Sequence, residues 1–364
     1  MAAEMETEHG PSLDTIDTID TIIIGGGLIG LSIALELHNR GAQVLVLERD
    51  LAFRQASGCA AGMLAVVDVH NPPPLHPLSR YSETLFPAFL NRISVLSGQD
   101  MPFQTDTTVH YLEEGGTERL REWSVDPQQL GDLIVDAVRA TSIVLRENSE
   151  LVDLIDEADG NYAVLRSGER IRAKSFVFAT GAWAVPEPLR SRENLIAADA
   201  VTPLKGQMLR VALPPSLTGL TEVHRRGACY AVPRTQGPYA GTVILGTTVE
   251  STGFDDTVDA EGLTTIRSRI AELVPAFADE AASPMLECWA GIRPMTADGL
   301  PILATSSRPD VFFAMGHGRN GIQLAPATAM ILADLVEHSQ PAVDISDFSH
   351  ERFSRIETLQ EVHA

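Results

Sequence analysis

Gly25, Gly27 and Gly30 form a G-x-G-x-x-G set, and Glu48 closes the next apolar run. That spacing is suited to holding a diphosphate. The first glycine makes the tight turn, the second lets backbone approach the phosphates, and the third lets a helix meet a strand. The N-terminus of the helix beginning at Leu28 and Ile29 favours the anion. Glu48 would accept from ribose hydroxyls, and a carboxylate there disfavours a 2′-phosphate. The set alone is weak, but its context is strong. It follows the β-branched run Asp20 to Ile24 and opens a pattern in which Ile29, Ile33, Ala34 and Leu37 recur until Gly41 stops the helix. Gln43 to Leu47 then reads as a buried parallel strand, completing a βαβ unit.

The motif serves FAD and NAD alike, so later segments decide between them. Ser57-Gly58-Cys59-Ala60-Ala61-Gly62-Met63-Leu64 is a run of small residues suited to backbone passing close to a bulky planar ligand. A flexible loop is its plainer alternative. At the other end, Gly316-His317-Gly318-Arg319-Asn320-Gly321-Ile322-Gln323-Leu324-Ala325-Pro326 puts several glycines and an early proline at a helix start. A helix N-terminus there would stabilise the negative charge that a flavin gains on reduction.

The elements that must position these residues are spread along the whole chain. Asn71 to Pro77 reads as a proline-dense loop, and Leu78 to Leu96 as an amphipathic helix interrupted near Pro87. Asp126 caps a helix through Val138. Strand-like pieces follow at Leu151 to Ile155 and Tyr162 to Leu165, and Ser175 to Ala179 is a buried strand closed by Thr180-Gly181. Short strands dominate Pro203 to Gly246, and Glu261 to Leu273 is helical. Val311 to Ala314 is a strand, and Gly316 to Asn320 a turn that starts a helix running to about Glu337. Pieces of a dinucleotide fold thus lie at the start, middle and end, with β-rich segments inserted, so the domains are discontinuous. The expected division is 17–80, 124–200 and 288–337 for the cofactor domain, 81–123 and 201–287 for the substrate domain, and 1–16 and 338–364 for tails.

With 364 residues, 44% of them hydrophobic, the chain can bury a large core. A net charge of −22 repels phosphate backbones and anionic lipid, which argues against nucleic acid and membrane partners. The three cysteines, Cys59, Cys229 and Cys288, suggest neither a disulfide framework nor a metal site. The first basic residue is Arg40, so neither a signal peptide nor a transit peptide is expected, and the protein reads as cytoplasmic. A homo-oligomer is compatible with all of this.

The sequence resembles the glycine oxidase branch of the D-amino-acid oxidase superfamily, the thiazole-pathway enzymes of thiamine biosynthesis. The resemblance rests on Ile22 to Glu48, Ser57 to Leu64, Phe178-Ala179-Thr180-Gly181-Ala182-Trp183, Lys205-Gly206-Gln207-Met208, and Cys229-Tyr230-Ala231-Val232-Pro233-Arg234. It continues through Trp289-Ala290-Gly291-Ile292-Arg293-Pro294, Asp298-Gly299-Leu300-Pro301, and Gly316 through Thr328. It implies an α/β (α+β) fold, a glutathione-reductase-like Rossmann FAD-binding domain carrying an inserted β-rich substrate domain. It also implies non-covalent FAD and oxidative deamination of glycine or a similar small amino acid. In that reaction a hydride passes from Cα to flavin N5, an imine forms, and oxygen is reduced to hydrogen peroxide.

Residue by residue, the resemblance makes Arg293 the clamp on the substrate carboxylate, with Tyr230 adding a hydroxyl and Arg319 at the rim. A planar guanidinium is suited to a bidentate carboxylate grip. Met63, Ala228, Val249 and Gly318 would line the substrate pocket. FAD would touch Gly25, Gly27, Leu28, Ile29, Gly30, Glu48, Arg49, Ser57, Ala61, Gly62, Met63, Val152, Thr180, Gly181 and Trp183. From the C-terminal segment it would touch Gly316, His317, Gly318, Arg319, Asn320, Gly321, Ile322 and Gln323. Hydride transfer from a neutral amine needs no protein base, so His317, Cys229 and Lys205 are assigned none, and Cys288 no flavin tether.

Plainer alternatives stand beside these roles. Arg293 could form a surface ion pair with Asp298, Arg319 could pair with exposed acids, and Tyr230 could be a core ring. A dehydrogenase of D-amino or N-methyl amino acids using another acceptor is the nearest rival reading. A non-catalytic nucleotide-binding protein is the rival from another class, disfavoured by Arg293 and Tyr230 together. Two positions depart from the family: Gly318 replaces a usual tyrosine or phenylalanine, and Ala228 a histidine of one branch. The Thr107 to Asp126 stretch is also shorter than usual. The two substitutions remove bulk and predict tolerance of substrates larger than glycine.

Overall fold

The structure, a computed structural model, describes residues 19–353 except 67, 69, 184, 194 and 198, and leaves aside the side chains of 191–193. The expected N-terminal tail 1–16 lies outside the described residues. In chain order the elements are β1 (Ile19–Ile24), α1 (Leu28–Asn39), β2 (Val44–Leu47), α2 (Leu75–Ser97), β3 (Thr108–Tyr111), β4 (Thr117–Leu120), α3 (Pro127–Arg139) and β5 (Val144–Arg146). Then come β6 (Leu151–Glu157), β7 (Gly160–Leu165), β8 (Arg170–Phe178), α4 (Glu187–Glu193), β9 (Thr202–Ala212), β10 (Val223–Arg226), β11 (Cys229–Arg234) and β12 (Thr242–Gly246). The chain closes with α5 (Ala260–Leu273), β13 (Met285–Met295), β14 (Ile302–Thr305), β15 (Val311–Met315) and α6 (Gly321–Val336).

The first sheet runs β14-β15-β8-β1-β2-β5, with the β6-β7 hairpin joined through β7 to β8. From β15 to β5 its strands are parallel. Both faces are covered, which is why its strands read as unbroken apolar runs. Ile23, Val46, Val177 and Phe312 point toward α1, α2, α3 and α6, whereas Ile22, Leu45, Phe176 and Phe313 point to the other side. The second sheet runs β13-β9-β12-β11-β10-β3-β4 and is antiparallel except where β10 meets β3. α5 covers one of its faces through Ile266 and Ile270 on Leu209, Val243 and Leu245. The opposite face carries Met208, Tyr230, Val232 and Ile244.

This is the expected α/β arrangement of a Rossmann-type sheet with an inserted β-rich unit, and several boundaries differ in detail. α2 continues through Pro87 without a break. The proline forgoes one N–H bond at an exposed position where water can serve the orphaned carbonyl, while Phe86, Leu90 and Ile93 hold both halves in the core. α2 packs on α3 and α6, so residues 81–97 lie with the first sheet instead of the substrate unit. Conversely, β13 pairs with β9 along its length, which puts 288–295 in the second sheet. The segment 338–353 is not a free tail: Phe348 is buried in the main core and Arg352 pairs with Asp298 at 2.7 Å. No helix among the described residues is long and apolar enough to cross a membrane.

Candidate active site

A cavity of about 830 Å³ opens between the C-terminal ends of the parallel strands and the inner face of the second sheet. β1, β2, β8 and β15 each end on it, which is where open α/β sheets bind ligands.

At its first-sheet end the walls are mostly backbone. Gly25 has a left-handed φ of 112°, and a Cβ there would lie 2.4 Å from the Ala179 carbonyl oxygen. A Cβ on Gly30 would lie 1.9 Å from the Gly25 carbonyl oxygen, so that glycine serves the meeting of helix and strand. Gly27 is different. Its nearest neighbour would be Ser57 Oγ at 3.6 Å, leaving the space above it open beside the cavity. α1 has no acid in its first turn and no side-chain cap from Gly27, and the Leu28 N–H donates to Ser57 Oγ at 3.1 Å. Glu48 accepts the Gly26 N–H at 2.7 Å through one oxygen and the Asp50 N–H at 2.9 Å through the other. This fixes the carboxylate and leaves lone pairs for further donors. A glycine cradle that a side chain would fill, an acid-free helix N-terminus and a fixed strand-end carboxylate together fit a dinucleotide cofactor. Beside them Arg49 lies 4.2 Å over the Trp183 ring, which in turn meets the Phe254 ring at 5.3 Å. Val152, Thr180 and Gly181 complete this wall.

The small-residue run from Ser57 to Leu64 is a built wall and not a free loop. At Gly62 φ is 88°, and a Cβ would lie 2.0 Å from the Val125 carbonyl oxygen. Arg234, buried, donates to the Ala61 carbonyl at 2.9 Å and pairs with buried Asp126 at 2.7 Å. The other oxygen of Asp126 caps α3 through the N–H groups of Gln128 and Gln129. Burial pushes the Arg234 guanidinium down to about 10, so it remains a cation at neutral pH. Sequence reasoning gave Arg234 no role; its place at the end of an otherwise apolar strand was the available signal.

At the second-sheet end the walls are side chains. Arg293 on β13 lies flat over Gly206 of β9, where a Cβ would come within 2.2 Å of its guanidinium. Its two terminal nitrogens donate to Thr247 Oγ1 at 2.9 Å and the Lys205 carbonyl at 3.3 Å. Asp298 belongs to Arg352, and Arg293 has no carboxylate partner among the described residues. Tyr230 fills the space beside Gly246, and its hydroxyl donates to Met208 Sδ at 3.1 Å. Burial holds this phenol above its usual pKa and Arg293 opposes the shift, so it stays a donor. Arg319 pairs with Asp68 at 3.4 Å and donates to Asn71 Oδ1 at 3.3 Å, and Arg225 pairs with the other Asp68 oxygen at 3.2 Å. Met63 lines this end, while Ala228 and Val249 are exposed at its mouth.

Almost all the expected site residues line this one cavity; Gly30, Gly316 and Gln323 do not. Gly316 has its Cβ direction closed by Thr296, and Gln323 is buried with its amide donating to the Ser79 carbonyl at 2.8 Å. His317 bonds Thr328 Oγ1 at 3.0 Å, and burial pushes its imidazole down to about 3, so it is neutral. The bulk absent at Gly318 is partly replaced: a Cβ there would meet Met295 Sδ at 3.1 Å. Cys288 does not line the cavity, whereas Cys59 does, with burial raising its thiol to about 11. Asp68, Asn71, Arg225 and Thr247 were not anticipated. Alternation on β10 held a signal, since Val223 and Arg225 share the buried face of that strand.

Residues 20–124 and 114–335 match the family described as FAD dependent oxidoreductase. A glycine oxidase of Geobacillus kaustophilus is 30% identical over 91% of this chain and 96% of its own. A bifunctional ThiO/ThiG protein of Nostoc is 31% identical over 92% of this chain, which spans 55% of that relative. A solved structure of the Geobacillus glycine oxidase superposes with a TM-score of 0.83 over 92% of this chain and 99% of that one.

Proposed function

Because the chain belongs to the FAD-dependent oxidoreductase family that includes glycine oxidase, we propose that it oxidises glycine or a similarly small amino acid at the carbon bearing nitrogen. The products are the imine and, with oxygen as acceptor, hydrogen peroxide. The observation that carries the reading is Arg293: a guanidinium in the cavity wall, held flat by two neutral acceptors and without a carboxylate of its own. A buried or half-buried cation without an anion is costly unless its ligand supplies one.

Gly25, Gly27, Ser57 and Glu48 would hold the FAD diphosphate and ribose, and FAD when bound supplies the two-electron acceptor. Everything else the chain does is positioning. Arg293 takes the substrate carboxylate in a two-bond grip and Tyr230 adds a neutral donor, which together fix the carboxylate end of the amino acid in the cavity. His317 is neutral and engaged with Thr328, and Cys59 is protonated, so neither adds a charge to the cavity wall. The test is a peroxide-release assay of the purified flavoprotein against glycine, N-methylglycine, proline and D-alanine. Peroxide from none of them, with FAD bound, would overturn the reading.

A further inference from the structure

The same cavity wall holds more positive charge than one amino-acid carboxylate can use. Arg225 and Arg319 both line it, and Asp68 is the carboxylate they share, one on each oxygen, at 3.2 and 3.4 Å. Arg225 is 4% exposed, and its remaining nitrogens have no protein acceptor among the described residues. Two guanidiniums, buried Arg225 and exposed Arg319, share one carboxylate, so the group carries one unit of net positive charge at the cavity wall. Arg293 is near enough that it and Arg225 both disfavour the charged form of Arg319, although burial is the larger cause. His110, the register neighbour of Arg225 on β3, is held toward its neutral form by burial and by that arginine. Asn71 is buried against Arg319 and Asn320, with its amide oxygen accepting from both, and its amide nitrogen is an unused donor. All this sits in a chain whose net charge is −22, where basic residues are scarce.

We propose that Arg225 and Arg319, with Asn71, form a second anion subsite, so that the preferred substrates are small amino acids bearing a second acidic group. An N-carboxymethyl glycine or a short acidic D-amino acid is the chemical class. The proposal rests on the reading of Arg293 as the first carboxylate clamp. The second acid would take the guanidinium hydrogens that Asp68 leaves free, and it supplies a second negative charge beside buried Arg225. Asp68 sets the strength of the subsite by neutralising half of it and keeps two like charges from repelling one another when the subsite is empty.

Two measurements on the FAD-loaded protein test this. Dissociation constants of succinate and propionate, read from perturbation of the flavin absorption, need no turnover: succinate should bind about 10-fold or more tightly. Equal or weaker binding of the dicarboxylate would overturn the subsite, whether or not glycine is oxidised. For turnover, the ratio of kcat/KM for N-carboxymethyl glycine to that for glycine should fall about 10- to 100-fold in Arg225→Gln. It should rise in Asp68→Asn, where a competing anion is removed. If the group were only a structural brace, both substitutions would depress both substrates in parallel and leave the ratio where it was. Should Arg225→Gln fail to fold, the succinate comparison and the direction of the Asp68→Asn change decide alone.

Discussion

The two ends of the cavity are built by different means. Toward the first sheet, the wall is backbone: Gly25 with its Cβ direction closed, Gly27 with its own open to the cavity, a helix N-terminus and one carboxylate fixed by amide donors. Toward the second sheet it is long side chains, three of them arginines: buried Arg225, half-buried Arg293 and exposed Arg319. Backbone recognition is set by local turn geometry within one βαβ unit. Side-chain recognition is assembled from strands far apart in sequence. Substitutions should therefore separate the two ends, one set abolishing cofactor binding and the other changing only what is oxidised.

The largest effect is expected at Gly27. A Cβ there has room in the protein itself, since only Ser57 Oγ comes within van der Waals range, and the branches of a valine would extend into the diphosphate space. The purified Gly27→Val protein should be folded and colourless, with circular dichroism like that of the parent. Retained stoichiometric FAD would mean that the cofactor does not run over this turn. Gly30→Val makes the contrast, because its Cβ collides with the Gly25 carbonyl, so fold and flavin should be lost together.

Next in size is Arg293→Leu, which should leave FAD bound. Removing one partner of a desolvated charge pair costs about 3–5 kcal/mol. At about 1.36 kcal/mol per decade, kcat/KM for amino acids should fall by roughly 10² to 10⁴. Arg293→Lys should recover part of that, because an ammonium lacks the planar fork. Amines without a carboxylate should be affected far less. Near-parental oxidation of glycine by the leucine variant would remove Arg293 from the substrate.

The difference between the ends also explains what could be read from the chain. The turn at Gly25 to Gly30, the carboxylate at Glu48 and the strand at Val311–Met315 follow from spacing and apolar runs that are local in sequence. Arg293 and Tyr230 came with motifs. Asp68, Asn71 and Arg225 did not, because their meaning arises only when the loop after residue 64, the turn at 318–320 and β10 converge. Nor could Gly318 disclose that Met295 occupies its missing side-chain direction. Pro87 misled for the opposite reason: local chemistry said that α2 should break, and packing on α3 and α6 overrode it.

A third effect belongs to His317, at the seam between the two ends. Its pKa is about 3 when folded, against an ordinary value of 6.5. Between those values the unfolded chain binds a proton that the folded chain does not, so stability rises with pH through this window and falls on acidification. At pH 5 the loss is on the order of 2 kcal/mol relative to pH 7, and it should be absent in His317→Gln. Urea midpoints for both proteins at the two pH values measure it. An equal acid sensitivity of the two would place the titration elsewhere.

The smallest expected effect is the most diagnostic for the substrate end. Tyr230→Phe keeps the ring that fills the space beside Gly246 and deletes only the hydroxyl. Its present partner is a thioether, Met208 Sδ, a weak acceptor that a substrate carboxylate would readily displace. The lost bond to a charged ligand is worth about 1.5–3 kcal/mol at most, and water reaching the open cavity returns part of it. KM for glycine should therefore rise roughly 5- to 10-fold, with flavin content and thermal stability nearly unchanged. Gly246→Ala provides the control, because its Cβ would fall 2.4 Å from the ring and push the whole side chain aside. If the hydroxyl grips the substrate, Gly246→Ala should weaken binding at least as much as Tyr230→Phe. If Tyr230 is only a core ring, Tyr230→Phe should leave KM where it is while Gly246→Ala lowers stability.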